Sequence, residues 1–319
     1  PYERFSESFD EVLGGGLYIP SGTITLNNCK LSSNAAGLGS AVFAHEAIDL
    51  VDLEVIGNDA YVFGAAVNVN RAGEPVFVER CSFRDNEATG LRLPFGSAII
   101  VDSEFVNNYR PATGGAGAHV DYATVIRSRF VGNRGTGLHV DWSATVIDSV
   151  FEQNHTPYGP AGLRTGNGAH LVNCIFARNR ASGNAAISNS SGRPVIENCA
   201  FVDNEAESLV AGVWSGDGFV IRNSVFWRNR DGAFGDSENA QIRWFSTGIL
   251  EISDSIVQGW TGLMGGVGNS GADPQFLDSM GPDGIAASGD EDSRLSPDSP
   301  AINAGTITPN TTDTDLAGH

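Results

Sequence analysis

The sequence predicts an all-β chain wound as a parallel β-helix, on three observations. A block of alternating apolar residues, then Cys or Ser, one residue, Phe, two residues and Asn, recurs from VFVERCSFRDN at Asn86 to FVIRNSVFWRN at Asn229. Each copy alternates with period two and has no helical half, which marks strands. The repeated hydrophobic position falls at Leu31, Val55, Phe83, Phe105, Phe130, Phe151, Phe176, Phe201, Phe226 and Ile256, 225 residues in nine steps, a mean of 25. A unit of that length, made of short strands and Gly or Asn turns, is one three-stranded coil, and only a stack of coils can bury its inner face. At about 4.8 Å per coil, roughly eleven or twelve coils would make a rod on the order of 55 Å long.

The elements follow in chain order. Residues 1–16 form an N-terminal cap, in which Phe5, Phe9 and Val12 or Leu13 at helical spacing predict a short amphipathic helix over the open end. Residues 17–260 are the parallel β-helix, with the repeated Phe pointing inward. The residue two before it shares that face: Cys29, Leu53, Cys81, Ser103, Ser128, Ser149, Cys174, Cys199, Ser224 and Asp254, a buried ladder of mostly small side chains. Cys174 and Cys199 stand on neighbouring coils at a spacing that permits a disulfide. Cys29 and Cys81 are separated by an intervening coil, and no CxxC pair suggests structural zinc. The Asn closing each block, from Asn86 to Asn229, tolerates left-handed backbone and can bond its equivalent one coil away. The segment 231–245 lengthens one coil into a lateral loop, a wall for a groove. Residues 261–319 are an irregular Gly-, Pro- and Asp-rich cap or tail. Its Asp273, Asp278, Asp283, Asp290, Glu291 and Asp292 offer calcium ligands, but without EF-hand spacing they are expected to be solvated acidic loops.

Composition excludes several function classes. A formal net charge of −19 would repel a nucleic-acid backbone. Gly, at 40 residues, lacks the three-residue period of collagen, and 17 Phe spread along the chain argue against disorder. No apolar run is long enough for a membrane span. The chain starts at Pro1 without a basic-then-apolar leader, as a cleaved or trimmed chain would.

Function is expected on outward positions that break the scaffold's monotony. In the strand after each Gly-rich turn, the outward residues read Asn68, Arg92, His119, His139, Arg164, Ser188, Trp214 and Arg243. Two residues on lie Asp121 and Asp141, with Tyr122 and Trp142 beside them. Arg92, His119, His139 and Arg164 on four consecutive coils would form a cation patch on an acidic protein. Arg92 and Arg164, with Arg243, suit a carboxylate or sulfate, and Tyr122, Trp142 and Trp214 suit sugar faces. For β-elimination from a uronate, His119 or His139 would take the proton. Asp121 and Asp141 would orient the histidines, hold calcium together, or act as the acid pair of a glycoside hydrolase, their one-coil separation of about 4.8 Å being nearer retaining geometry.

The repeat resembles the right-handed parallel β-helix repeat family of extracellular bacterial proteins over about residues 20–260. GGGLYIPSGTITLNNCKLSSNAAGLGSAV resembles the Gly-Gly-Ala-Ile repeat of polymorphic surface proteins. ADPQFL through SRLSPDSPAINAG resembles the terminal motif DPxF…RLxPxSPAIxAG of secreted bacterial β-helices. That motif would end in an Asp-Gly-Arg phrase, where this chain reads DTDLAGH, as after truncation or divergence. The resemblance implies right-handedness and a secreted or cell-surface location. It leaves two function classes open. One is a protein that binds or processes a polysaccharide or surface glycan, a polysaccharide lyase or glycoside hydrolase if an enzyme. The other is a structural or adhesive surface rod that self-associates.

Overall fold

The computed structural model describes residues 13–61, 64–71, 73–110, 114–245, 247–278, 282, 292–302 and 304–305. The helix expected in the 1–16 cap rests on residues 1–12, which lie outside the described residues, as do Asp283, Asp290 and Glu291 of the acidic tail.

Each coil is built on three strands, and a short fourth, His155–Thr156, Arg180–Ala181, Glu205–Ala206 and Arg230–Asp231, joins four successive coils in a ladder of its own. In one coil the three are Thr136–Val140, Ala144–Ile147 and Val150–Glu152. The chain turns before the third strand at Asp148 (φ 50°) and after it at Gln153 (φ 53°), both left-handed. Equivalent pairs recur at Asp102 and Asn107, and at Asn173 and Arg178. Every strand pairs in parallel with its counterpart one coil away, as Thr145 with His170 and Phe151 with Phe176. The first and second sheets merge where Thr89–Val101 and Gly115–Ile126 bend from one into the other.

The third sheet holds ten strands, from Lys30–Ser32 to Ile256–Val257, so the solenoid makes about nine turns rather than eleven or twelve. The period does not extend into the C-terminal segment. Beyond Val257, among the described residues, the bridges Ser253–Val267 and Ile256–Ser270 continue the coil, and Phe276–Asp278 then pairs antiparallel with Asp292–Leu295. The rod is correspondingly shorter, about 45 Å at the usual strand spacing.

Seven phenylalanines form the spine of the core. Phe83, Phe105, Phe130, Phe151, Phe176, Phe201 and Phe226 are fully buried and stack with ring centroids 4.6 to 5.0 Å apart and planes within 6°. The last rung corrects the sequence register by one residue. Phe226 pairs with Val257 rather than Ile256, and the Ser224 N–H meets Ser255 Oγ rather than Asp254. The small-residue ladder works through backbone N–H groups donating to the next coil, as Ser103 to Ser128 Oγ (3.1 Å) and Ser128 to Ser149 Oγ (3.1 Å). All four cysteines are free thiols. Cys174 N–H approaches Cys199 Sγ at 3.4 Å without a disulfide.

The asparagine ladder is longer than expected, running from Asn34 through Asn58 to Asn229. Asn154 is typical: its Nδ2 donates to Asn179 Oδ1 (3.0 Å) and to the Phe130 carbonyl (2.8 Å), so a buried amide is satisfied on both sides. The lateral loop ends this ladder. Its one-turn helix Glu238–Gln241 brings Gln241 under Asn229, where Oε1 accepts from Asn229 Nδ2 (2.7 Å) and Nε2 donates to the Asn229 carbonyl (2.8 Å).

Candidate functional site

The outward residues of the first sheet fall in one register: Asn68, Arg92, His119, His139, Arg164, Ser188, Trp214 and Arg243 are successive partners. Alternation dictates this, because their neighbours Leu91, Ala118, Leu138 and Leu163 are fully buried in the core. The register also settles the inward positions as Ala118 and Leu138.

This outer row is not a solvated face. His139 is only 7% exposed and Asn68 2%, Arg92 and His119 are half-buried, and Arg164 alone of the central four is exposed. Arg110, which sequence reasoning missed, stands beside the row. Its Nη1 donates to Thr89 Oγ1 (2.9 Å). A side chain at Gly114 (φ 142°) would sit 3.4 Å from Arg110 Nε and 3.7 Å from His119 Nδ1, so the turn brings bare backbone against both.

His119 and His139 stack with centroids 4.2 Å apart and planes 7° from parallel. Both present Nε2 to the exposed Asp141: His119 Nε2 lies 3.1 Å from Oδ2, and His139 Nε2 3.2 Å from Oδ1. Both Nδ1 atoms are buried without a partner. Burial pushes the His119 imidazole below its ordinary pKa against the pull of Asp141. Burial, His119, Arg164 and Arg110 drive His139 down to about 2. Both rings are therefore neutral at pH 7. Asp121 does not share their orientation. It makes no hydrogen bond to either histidine among the described residues, and burial and Asp141 raise its carboxyl above the usual range.

Around this trio the arginines lack counter-ions. Arg80, Arg127, Arg222 and Arg228 each lie against a carboxylate. Arg92, Arg110 and Arg164 have none in ion-pair range among the described residues. Burial lowers the pKa of Arg92 and of Arg110, and Asp141 is the acid whose charge Arg92 feels.

Beside the charged row stands an aromatic one. Tyr122 and Trp142 stack at 6.4 Å with planes 12° apart, both about half exposed, and Phe95, 68% exposed, bulges out one coil earlier. Tyr122 lines a cavity of about 530 Å³ whose floor is Ala98, Ala123, Ala144 and Ala169 on four coils, with Thr145 and His170 along it. Trp214 and Arg243 stand apart, three and four coils beyond His139, in a separate cluster. Trp214 meets Phe245 edge-on at 5.4 Å, and Arg243 lies over the Phe234 ring at 4.8 Å.

The missed residues had a sequence signal. The position two after each ladder Asn reads Ala36, Ala60, Ala88, Arg110, Gly135, Thr156, Ala181, Ala206 and Asp231, and Arg110 is the one large cation in a row of mostly small residues. Phe95 sits in Pro94-Phe95-Gly96, where the register shifts between Leu93 and Ser97.

No curated protein and no solved structure matches the chain. The family model for the right-handed β-helix region matches residues 6–154 and 65–258. With ten-stranded parallel stacking beneath that match, the chain belongs to the right-handed β-helix family.

Proposed function

We propose that the chain binds an acidic polysaccharide along its first sheet, at or outside the cell surface, and cleaves it by β-elimination at His119 and Asp141. The observation that carries this reading is the group of three arginines without acid partners among the described residues, two of them half-buried, on a chain of net charge −19. Uncompensated buried cations are costly, and a ligand carboxylate between them removes that cost. The aromatic row and its alanine-floored cavity supply apolar faces for adjoining sugar rings.

In the proposed step Arg92, Arg110 and Arg164 neutralise the uronate carboxylate, which acidifies the neighbouring C5–H. At rest His119 donates its Nε2–H to the Asp141 carboxylate; with that proton on Nδ1 instead, Nε2 takes the C5 proton, the C5–H electron pair forms the C4–C5 double bond, the C4–O bond breaks, and the departing oxygen takes a proton from solvent. The imidazolium so formed lies against Asp141, whose charge offsets its burial. His139, too hard to protonate to act as the base, packs against His119 and holds Asp141. Hydrolysis is a second reading, favoured by the raised carboxyl of Asp121 one coil from Asp141, an acid beside a carboxylate.

The test is a screen of polyuronates, glycosaminoglycans and neutral glycans, reading unsaturated product at 235 nm and reducing ends in parallel. An active uronate should lose about 10²–10⁴-fold in rate with His119→Ala while binding persists. Reducing ends without absorbance would favour the hydrolytic reading. If no glycan binds, the glycan reading fails and a structural surface rod takes its place.

A further inference from the structure

Two imidazole nitrogens and a carboxylate oxygen converge at the centre of the row. We infer that His119, His139 and Asp141 form a binding site for a divalent transition-metal cation of the Zn²⁺ or Co²⁺ class. Their ligand atoms all lie within 4.8 Å of one another. His119 Nε2 lies 3.1 Å from Asp141 Oδ2 and His139 Nε2 3.2 Å from Oδ1, so each ring meets its own oxygen and the carboxylate has to turn to offer both rings one ligand atom around an ion. The rings stack with planes 7° from parallel, so both Nε2 atoms face Asp141 side by side, and the imidazoles have to splay apart for both lone pairs to meet one ion. Asp141 is exposed, which leaves the remaining coordination positions on the open side.

The donor set selects the metal. Two nitrogens and one carboxylate suit borderline cations, whereas calcium takes six to eight oxygens. Both Nδ1 atoms are buried without an acceptor behind them, so the second shell that usually fixes ligand histidines is lacking. Arg92, Arg110 and Arg164 add repulsion. Both features make the site exchangeable, and removing a neighbouring positive charge strengthens it. Because the metal takes the same Nε2 lone pair on which the proposed elimination depends, metal and proton compete there, and bound metal blocks turnover.

Cobalt titration tests the site without any glycan, so its outcome is separate from that of the glycan reading. The full chain should develop visible Co²⁺ bands saturating at one ion per chain and disappearing on addition of Zn²⁺. Asp141→Asn, at an exposed position that leaves the core intact, should weaken binding at least 10-fold, and His119→Gln likewise, with circular dichroism unchanged. His155→Gln, at an exposed histidine elsewhere, should leave the spectrum as it was. Arg164→Gln should tighten binding several-fold. Absence of the bands, or bands that survive both Asp141→Asn and His119→Gln, overturns the inference.

Discussion

Burying an arginine without an acid partner stores free energy that a ligand can release, and Arg110 is the clearest case. Its Nε is buried without a partner, and its one side-chain hydrogen bond among the described residues is to a neutral hydroxyl, Thr89 Oγ1. Replacing a buried ion pair by apolar side chains of similar volume is often neutral or stabilising by about 1–4 kcal/mol, and removing an arginine that has no acid partner strands no opposite charge. Arg110→Met should therefore unfold at the same or a higher temperature than the parent while binding acidic glycan at least several-fold more weakly, read by thermal unfolding and a binding isotherm. A large loss of stability would mean that Arg110 serves the scaffold instead. At this scale the sequence was partly legible. Period-two alternation located Arg92, His119, His139 and Arg164 on one row, because a strand residue's face is set by parity alone. It could not show that the row is largely buried, or that Asp141 rather than Asp121 meets both rings, since the placement of Arg110 and side-chain direction past a strand end have no period.

At the scale of elements, the ladders carry the fold. Each buried Asn is satisfied only because the coil above presents an acceptor at the same place, so the first coil without an Asn needs a substitute. Gln241 supplies it from the lateral loop, both accepting from and donating to Asn229. Gln241→Ala should strand the Asn229 amide at a cost of about 1–3 kcal/mol. Because each coil contacts only its neighbours, the loss should appear as faster hydrogen exchange confined to the coils near Asn204 and Asn229. Asn154→Ala should raise exchange in the middle of the rod instead. A uniform rise in both variants would show that the solenoid opens as one unit. The asparagine series was readable from its spacing. Its terminator was not, because Gln241 lies 12 residues after Asn229 rather than one coil on. The one-residue slip at Val257 has the same origin, an enlarged coil that breaks the count.

The whole molecule sets a further condition on any acidic ligand. A chain with 38 acidic and 19 basic residues presents a repulsive long-range field, and the unpaired arginines make only a local exception within it. The screening length falls from about 30 Å at 0.01 M salt to about 8 Å at 0.15 M. Added salt therefore removes repulsion from distant carboxylates first, while contacts at Arg92 and Arg110 are shielded by burial and lose less. Under the proposed function, the association rate for an acidic polysaccharide should rise between 0.01 and 0.15 M salt, the reverse of the usual dependence for oppositely charged partners. The dissociation rate should change less, and Arg164→Gln should raise it more than salt does, because that residue meets the ligand at the exposed end of the patch. Stopped-flow measurement across that range distinguishes the cases. An association rate that falls with salt would mean that a broader positive surface captures the ligand, and the local patch would lose its part in the encounter.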